Sequence, residues 1–168
     1  MAGSDMTGNC ADQDPGARQP GAMEWRIGCG KVAQFQIRTS GMPGARMVLA
    51  DLFSPIERAH SGSRRGSEGF AGRLAAKYAV ADVLGAGTGD RGLLRRIQIA
   101  PVPRHPCRNP SLCERGHPPA VGLDPGAEIG ESGRLIWIDV SVSHERDHAF
   151  AAALAILRWP SGDSGPGG

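Results

Sequence analysis

The chain has 168 residues, enough for one hydrophobic core, and a formal net charge of +2. Only eight residues are aromatic and four are cysteine, and no apolar run approaches the roughly 18 residues needed to cross a bilayer. This composition argues against a nucleic-acid module and a disulfide scaffold. We therefore expect one cytoplasmic domain that binds neither nucleic acid nor a membrane.

Two terminal segments have the composition of disordered tails. Residues 1–24 and 159–168 hold many Gly, Pro, Ser and Asp and almost no periodic apolar residues. Such segments cannot bury enough surface to offset the entropy that is lost on ordering. The sequence therefore predicts a folded domain at residues 25–158 between two disordered tails.

The first predicted elements are a strand and a short helix. Residues 25–37 alternate loosely, and Gly28 and Gly30 within them indicate a close approach to another backbone. Further on, a capping box with proline at the first helical position predicts a short helix. The residues of this box are Ser54, Pro55 and Glu57.

The clearest element is a helix over residues 70–84. It is rich in strong helix formers, and Gly85 follows it as a natural C-terminal stop. Two pairs of side chains have the i,i+4 spacing of helix neighbours: Arg73 with Lys77, and Tyr78 with Asp82. The helix is therefore predicted to present a cationic pair and a Tyr/Asp pair on adjoining faces.

The second half of the chain is predicted to consist mainly of strands. A flexible Gly-rich connector precedes four of them, at residues 95–102, 119–123, 135–143 and 148–157. The last two form a hairpin around the polar turn 144–147. This order of elements indicates a single α+β domain in which an antiparallel sheet packs against the central helix.

The loop at residues 103–118 contains residue types that bind zinc, namely His105, Cys107, Cys113 and His117. Their spacing misses the usual C-x2–4-C of zinc sites, and a disulfide between the two cysteines is disfavoured in a reducing cytosol. Free thiols are the main interpretation.

Basic residues also cluster locally, for example at Arg91, Arg95 and Arg96. A solvated surface is the main interpretation of such clusters, and a site for an anionic partner is the alternative.

Three segments occur in an order and at a spacing that are typical of one enzyme family. They are FSPIERAH at residues 53–60, FAGRLAAKYAVADVLGAG at 70–87 and VSVSHERDHAFAAALAIL at 140–157. They resemble the FTxxE segment, the central helix FAxRFAAKEAxxKALGxG and the closing hairpin of the holo-acyl-carrier-protein synthases, in the phosphopantetheinyl transferase superfamily. Gly116-His117-Pro118 also matches a G-x-P found there. The resemblance covers about residues 26–157 and implies the family's fold.

The resemblance implies an enzyme that transfers a phosphopantetheine arm from coenzyme A to a serine of an acyl carrier protein. In that family a divalent metal, usually magnesium, binds the pyrophosphate of coenzyme A, because a pyrophosphate leaving group needs a cation with oxygen ligands. Two carboxylates carry most of that task, one in an N-terminal G-x-D and one in the AAKEA of the helix. The resemblance also implies a homotrimer with the site between subunits.

The chain departs from the family pattern at three positions. Tyr78 replaces the helix glutamate, and either Gly30 or Lys31 stands where the N-terminal aspartate is expected or one residue is deleted there. Asp82 replaces a lysine whose charge suits a phosphate. A phenol and an ammonium are poor ligands for a hard cation, so we expect no metal site and no role for magnesium.

The candidate site residues fall into two sets. Phosphates of a cofactor are expected to bind at Arg73, Lys77, Gly85 and Gly87. Acid/base chemistry is expected at Tyr78, Asp82 and His144. Plainer interpretations stay open: Arg73 and Lys77 as solvated helix residues, Tyr78 as a half-buried core residue, and His144 as a turn residue paired with Asp147.

Three functions are open. The first is a metal-independent enzyme, repurposed for a cyclisation, dehydration or similar acid/base step on polyketide or fatty-acyl intermediates. The second is an active phosphopantetheinyl transferase in which Glu57 or Asp82 substitutes as a metal ligand, and the third is a non-catalytic partner of an acyl carrier protein. We favour the first, with no required cofactor, coenzyme A as a candidate ligand, and an acyl carrier protein or a small acyl or polyketide molecule as its partner.

Overall fold

The computed structural model describes residues 21–34, 37, 49–62, 66–100, 119–124 and 134–159. Most of both predicted tails and the whole loop at 103–118, with His105, Cys107, Cys113 and His117, lie outside the described residues. The predictions for these segments therefore stay predictions.

The described chain forms four helices and five strands. The helices are α1 (Leu49–Leu52), α2 (Pro55–Gly62), α3 (Gly66–Val83) and α4 (Arg91–Arg96). The strands are β1 (Met23–Ala33), β2 (Ile97–Ala100), β3 (Ala120–Leu123), β4 (Arg134–Glu145) and β5 (His148–Arg158). A three-stranded antiparallel sheet has the order β1-β5-β4, and β2 pairs with β3. The predicted α+β fold, with an antiparallel sheet against a central helix, is confirmed.

Helix α3 forms the centre of the fold and ends where the sequence predicts. Gly85 adopts a φ of 75°, and its N–H donates to the Asp82 carbonyl at 2.9 Å. The N–H of Ala86 donates to the carbonyl of Ala81 at 2.9 Å. This pair of bonds is a Schellman motif, which satisfies the last carbonyl groups of the helix. At its other end, α3 begins at Gly66, one turn before the predicted start.

Strand β1 lies directly on α3 because it carries two glycines. A Cβ added at Gly28 would overlap the carbonyl oxygen of Ala79, and one added at Gly30 would overlap that of Ala75. The predicted close backbone approach is therefore confirmed, and helix α3 is the partner. The approach leaves no room for any side chain at these two positions.

Strand β5 also packs closely on α3, through small side chains. Its alternate alanines are all buried in the core between the sheet and the helix: Ala149, Ala151, Ala153 and Ala155. Residues 148–157, whose many alanines would also suit a helix, therefore form the predicted strand, and their alternating burial is that of a strand with one covered face.

Helix α4 is absent from the sequence prediction, which had assigned residues 85–92 to a connector and 95–102 to one strand. The side chain of Asp90 accepts a hydrogen bond from the N–H of Leu93 at 3.0 Å and so caps a helix of six residues. Arg95 and Arg96 therefore belong to α4, and the strand begins only at Ile97. The prediction was wrong here because a single Asp among many glycines is a weak helix signal.

The hairpin of β4 and β5 is confirmed, but its turn is shorter than predicted. The strands pair as far as Glu145 and His148, which leaves Arg146 and Asp147 as the turn. Arg146 has a φ of 42°, as tight hairpin turns require. Gln34 holds this turn, since its backbone N–H donates to the carbonyl of Asp147 at 2.7 Å.

The ordered domain extends slightly beyond the predicted bounds at both ends. Met23 and Glu24 belong to β1, and Met23 pairs with Arg158. Trp159 is buried, and its ring N–H donates to a Glu24 carboxylate oxygen at 2.7 Å. The sequence analysis placed residues 23–24 and 159 in the tails because of the composition around them. In the structure, Met23 and Glu24 pair within the sheet, and Trp159 is bonded to Glu24. No helix among the described residues is long and apolar enough to cross a membrane.

Candidate functional site

The middle of α3 shows one outward stripe, formed by Tyr78 and Asp82. Every other residue from Leu74 to Leu84 is buried. Asp82 lies against the edge of β1, where its Oδ2 accepts a hydrogen bond from the backbone N–H of Cys29 at 3.0 Å. The predicted Tyr/Asp pair is thus on one face of the helix, beside a strand edge.

Tyr78 lies one helical turn before Asp82 on the same stripe, and its side chain is half-buried. Burial raises the pKa of its hydroxyl above the ordinary value, and the positive charge of Arg91 acts in the opposite direction. Because the effect of burial is the larger, the phenol stays protonated and is a neutral hydrogen-bond donor at ordinary pH. We call Tyr78, Asp82, Cys29 and Arg91 together the Tyr78 surface.

Arg91 was not among the predicted site residues. The only sequence signal for it is the cluster of basic residues near position 91, whose main interpretation was a solvated surface. Its place beside Tyr78 depends on helix α4, which the sequence did not predict. Because the sequence did not predict α4, it gave no reason to associate Arg91 with Tyr78.

Lys77, in contrast, faces the interior, and the structure corrects the prediction that it binds phosphate. Its ammonium donates to the carbonyl of Leu52 at 2.7 Å, to Oε2 of Glu57 at 2.9 Å and to the carbonyl of Leu94 at 2.8 Å. Its side chain is 0% exposed. All three donors of an ammonium are then used, and none remains for a ligand. The alternative of a solvated helix residue is also wrong, since α1, α2 and α4 cover this side of α3.

Burial lowers the pKa of the Lys77 ammonium, while the carboxylate of Glu57 acts to raise it. Glu57 is itself fully bonded. Its Oε2 also accepts from the backbone N–H of Ser54 at 2.8 Å, which confirms the predicted capping box, and its Oε1 accepts from the N–H of Ile99 at 2.8 Å. The pair therefore joins α1, α2, α3, α4 and β2 in one network, and Glu57 has no free oxygen facing a metal.

Arg73 anchors the same side of α3 but is only partly buried. Its Nε donates to the carbonyl of Ile99 at 3.1 Å. Its Nη1 donates to the hydroxyl of Ser61 at 2.7 Å and to the carbonyl of Gly69 at 3.2 Å. Three hydrogen bonds within the protein fix this side chain, and its role toward a cofactor stays a prediction.

His144 lies at the opposite end of α3 from the Tyr78 surface. Its Nε2 is 3.1 Å from the carbonyl oxygen of Glu68, so this nitrogen carries the proton and donates it. The ring packs against Gly72, where a Cβ would overlap it. From Gly72 the helix rises about 9 Å to Tyr78 and about 15 Å to Asp82. The structure therefore brings Tyr78 and Asp82 together but not His144.

Gly85 and Gly87 follow α3 directly and are both exposed. Gly85 has a structural reason to be glycine, namely its positive φ in the Schellman motif. Gly87 carries no such constraint, and a Cβ added there would meet open space. Their predicted contact with a cofactor stays a prediction.

The residues present do not fit a divalent metal. At Gly30, one of the two positions where the resemblance implies an aspartate, the backbone of α3 occupies the space that a side chain needs. The other position is Lys31, whose side chain is a cation and cannot bind a metal ion. Its ammonium lies 5.4 Å from the ring centre of Phe150. Tyr78 offers a neutral phenol where the helix glutamate would be. Among the described residues, no group of three or more His, Cys, Asp or Glu side chains is arranged to hold a metal ion.

The arrangement of a central helix on a three-stranded antiparallel sheet, with a two-stranded sheet beside it, is that of the phosphopantetheinyl transferase fold. Solved structures of holo-acyl-carrier-protein synthases match it, as the sequence resemblance predicts. The apo synthase of Chronobacterium ammoniagenes is 25% identical with a TM-score of 0.59, covering 83% of this chain and 99% of that one. The coenzyme A complex of the same synthase is 24% identical, with a TM-score of 0.59, 81% of this chain and 98% of that one.

The synthase of Helicobacter pylori in complex with coenzyme A is 21% identical, with a TM-score of 0.58, and covers 77% of this chain and 99% of that one. No family model matches the sequence, and no curated protein matches it either. The chain therefore has the fold of the holo-acyl-carrier-protein synthases.

Proposed function

We propose that this protein is a holo-acyl-carrier-protein-synthase-like enzyme that carries out an acid/base step on a fatty-acyl or polyketide chain without a divalent metal. The step is a cyclisation, a dehydration or a reaction of the same type. The observation that carries the proposal is the Tyr78 surface, where a protonated phenol and a carboxylate stand one helical turn apart on an outward stripe.

The two groups have complementary roles in such a step. The hydroxyl of Tyr78 donates a proton to an oxygen of the substrate, because burial raises its pKa and keeps it protonated. Asp82 is exposed and accepts a proton from carbon or from a second hydroxyl. His144, about 9 Å or more along the helix axis from either group, contacts a distant part of a long ligand and not the reacting atoms.

The proposed substrate class is supported by the ligand of similar structures. Coenzyme A is bound in the similar structures from C. ammoniagenes and H. pylori. A chain attached to a phosphopantetheine arm, on coenzyme A or on an acyl carrier protein, is the corresponding ligand for this protein. The proposal locates the reaction in the cytoplasm, where such thioesters are available.

The test uses a β-hydroxyacyl pantetheine thioester as the probe, with EDTA present. Mass spectrometry is expected to detect loss of water or ring closure with the wild-type protein. Tyr78→Phe should abolish the reaction, Asp82→Asn should slow it strongly, and Arg95→Gln, an exposed change elsewhere, should leave it intact. An unchanged substrate with the wild-type protein, over a range of chain lengths, would remove the proposal.

The second candidate function is phosphopantetheine transfer, and the coenzyme A complexes of the similar synthases favour it. The deciding experiment incubates an apo acyl carrier protein with coenzyme A, magnesium and this protein. Rapid, stoichiometric gain of the phosphopantetheine mass would establish the transferase and overturn the first proposal. If neither reaction occurs but the carrier protein binds, the protein is a non-catalytic partner.

We also propose a homotrimer. The face of the sheet opposite α3 carries an apolar patch, where the register aligns Trp25 with Ile156 and Trp137 across the three strands. Trp25 is 60% exposed and Ile27 is 67% exposed. An exposed apolar patch of this kind marks a protein–protein interface, and we propose that other copies of the chain cover it. Light scattering of the wild-type protein should give three times the chain mass.

Ile27→Asp should dissociate this assembly, since it places a charge in the apolar face. Ile56→Asp is the matched control, because Ile56 is 54% exposed but lies on α2, away from the sheet. A wild-type protein that stays monomeric at micromolar concentration would contradict the trimer.

A further inference from the structure

Three side chains close the end of the sheet where β1 begins and β5 ends. Glu24 and Arg26 of β1 are half-buried and alternate with exposed residues of the opposite face, so they face α3. Trp159, the residue after β5, is buried beside them. Its backbone N–H donates to the carbonyl of Ala22 at 3.1 Å, which holds the end of the chain against the start of β1.

These three residues, which we call the C-terminal clasp, contact one another in a closed set. One oxygen of the Glu24 carboxylate accepts from the ring N–H of Trp159 at 2.7 Å, and the other accepts from Nε of Arg26 at 2.8 Å. The guanidinium of Arg26 lies 5.4 Å from the centre of the Trp159 ring. The carboxylate therefore orients both the indole and the guanidinium, and loss of any one member leaves the other two with fewer partners.

The clasp reaches the last turn of α3 through Arg26. Its Nη1 donates to the carbonyl of Val83, the last residue of α3, at 3.5 Å. A Cβ added at Gly85 would lie 3.6 Å from the same nitrogen, so the guanidinium lies alongside the Schellman turn. A cation at this end of a helix interacts favourably with the helix dipole and with the last carbonyl groups.

Asp82 belongs to the turn that Arg26 contacts. Its carbonyl accepts from the N–H of Gly85 at 2.9 Å, and its Oδ2 accepts from the N–H of Cys29 on β1 at 3.0 Å. Strand β1 therefore fixes the end of α3 at two points, the Val83 carbonyl and the Asp82 carboxylate. Because proton transfer depends strongly on the position of the base, a shift of this turn changes what Asp82 can do.

We propose that Arg26 and Trp159 are positioning residues for Asp82. By holding the last turn of α3 against β1, the clasp keeps the Asp82 carboxylate at the strand edge, one helical turn from Tyr78. The role of Asp82 in chemistry rests on the proposed function, whereas the effect of the clasp on the turn does not. Both positioning residues lie outside the segments that carry the family resemblance, and Trp159 falls in a predicted tail.

Hydrogen exchange followed by nuclear magnetic resonance tests the clasp in the full-length chain. The N–H groups of Gly85 and Ala86 report the turn, and that of Cys29 reports the position of the Asp82 carboxylate. In Arg26→Met all three should exchange at least about threefold faster, since the charge at the end of the helix is lost.

Two milder variants and a control refine this measurement. Trp159→Phe keeps a ring over Arg26 but loses the N–H donor to Glu24, so the same amides should exchange faster by a smaller factor. Arg26→Lys keeps the charge and should recover part of the protection. Arg158→Gln is the matched control, because Arg158 is exposed at the same end of the sheet and outside the clasp. It should leave the three rates within about twofold of the wild type.

Two internal references separate a local effect from a loss of overall stability. Ala76 lies earlier in α3, and Gly30 lies in β1 opposite Ala151 of β5. The acceleration at the turn and at Cys29 should exceed the acceleration at both references, because only the end of α3 is released. Equal acceleration at all of these amides would show general destabilisation and overturn the proposal.

An activity measurement adds the consequence for Asp82. With the thioester probe, Arg26→Met should lower kcat about tenfold and change KM less than about twofold, because a displaced base slows chemistry more than binding. Arg158→Gln should leave both constants unchanged. Absence of activity in the wild type would remove the proposed function, and the exchange pattern would still decide whether the clasp positions the carboxylate.

Three further results would overturn the inference. Wild-type exchange at Gly85 and Ala86 in Arg26→Met and Trp159→Phe would show that the turn needs no clasp. Faster exchange at the turn with an unchanged rate at Cys29 would show that the clasp stabilises the turn but does not position Asp82. An equal response in Arg158→Gln would indicate a general effect of charge at this end of the sheet.

Discussion

Lys77 and Tyr78 are neighbours in the sequence but lie on different sides of helix α3. Lys77 is buried in a network with Glu57, Leu52 and Leu94, and every donor of its ammonium is bonded. Tyr78, about 100° further around the helix, is half-buried and shares an outward stripe with Asp82. A single motif therefore contains one residue that stabilises the fold and one that is available for chemistry.

The comparison shows why residues of a family motif need to be judged one at a time. The lysine and its partner Glu57 connect four helices and a strand, whereas the adjacent position carries a phenol where the resemblance implies a carboxylate. A fold tolerates loss of a function at an outward position far better than loss of a buried charge pair. The predictions below test this difference, in order of their expected effect on the free energy of unfolding.

The largest effect is expected for Lys77→Met. The substitution leaves the carboxylate of Glu57 buried without its cation, and removing one partner of a buried pair costs about 3–5 kcal/mol. Urea unfolding measures the loss. The double variant Lys77→Met with Glu57→Leu should be more stable than Lys77→Met alone, because no uncompensated charge remains. A loss under about 1 kcal/mol in the single variant would show that the network is dispensable.

The second-largest loss of stability is expected for Gly30→Asp, at a position on β1 where the backbone of α3 leaves no room for a side chain. Gly30→Asp forces a side chain into the space that the backbone of Ala75 occupies, and overpacking of this kind costs about 1–3 kcal/mol. Combining it with Tyr78→Glu restores both carboxylates of the family pattern in sequence. We nevertheless expect no magnesium binding tighter than millimolar, by calorimetric titration, with or without coenzyme A.

Ala33→Asp on the same strand, at a half-buried position near its end, is a control for the effect of an added charge. Tight magnesium binding by the Gly30→Asp, Tyr78→Glu variant would mean that helix α3 moves aside readily. The metal site would then have been lost by substitution alone and not by closure of the backbone.

The sequence predicts much of this arrangement, and the parts that it predicts are local. The capping box of Ser54 and Glu57, the stop at Gly85 and the pairing of Tyr78 with Asp82 each involve residues a few positions apart. Such signals depend on helix geometry alone. The glycines of β1 also predict a close approach, although they do not name the helix that makes it.

The parts that the sequence misses depend on contacts between distant segments. Lys77 meets Glu57 from 20 residues away and Leu94 from 17, and only the fold decides that these three converge. For the same reason, the charge of Arg91 acts on the pKa of Tyr78 from a helix that the sequence did not predict. His144 was grouped with Tyr78 by chemistry, but β4 brings it to the other end of α3.

A smaller effect on stability, with a distinct pH dependence, is expected for Tyr78→Phe. The raised pKa means that the folded state holds the phenol proton more tightly than the unfolded state. Stability is therefore unaffected below the ordinary pKa of 10.0 and falls as the pH rises above it, through the raised folded value. In Tyr78→Phe this part of the fall should be absent, while the stability at neutral pH changes by less than about 1 kcal/mol.

Urea unfolding at a series of alkaline pH values measures this difference. Lys77, whose pKa is lowered, is present in both proteins, so its contribution cancels in the comparison. Parallel pH profiles for the wild type and Tyr78→Phe would mean that the phenol is not perturbed by burial. The argument for a protonated donor at high pH would then be lost.

The smallest effect on stability is expected for Asp82→Asn. The residue is exposed and its one hydrogen bond in the described structure, to the N–H of Cys29, survives as a neutral bond from the side-chain carbonyl. Thermal melting should therefore be nearly unchanged, whereas the proposed proton transfer, which needs a carboxylate, should slow by about a hundredfold or more. Asp82→Glu keeps the charge but moves it, and should retain part of the activity.

If Asp82→Asn instead melts several degrees lower and keeps full activity with the thioester probe, Asp82 fastens β1 to α3 and has no part in the chemistry. Asp82 would then belong with Lys77 among the residues that stabilise the fold, and Tyr78 would be the only one of the three with a role in the chemistry.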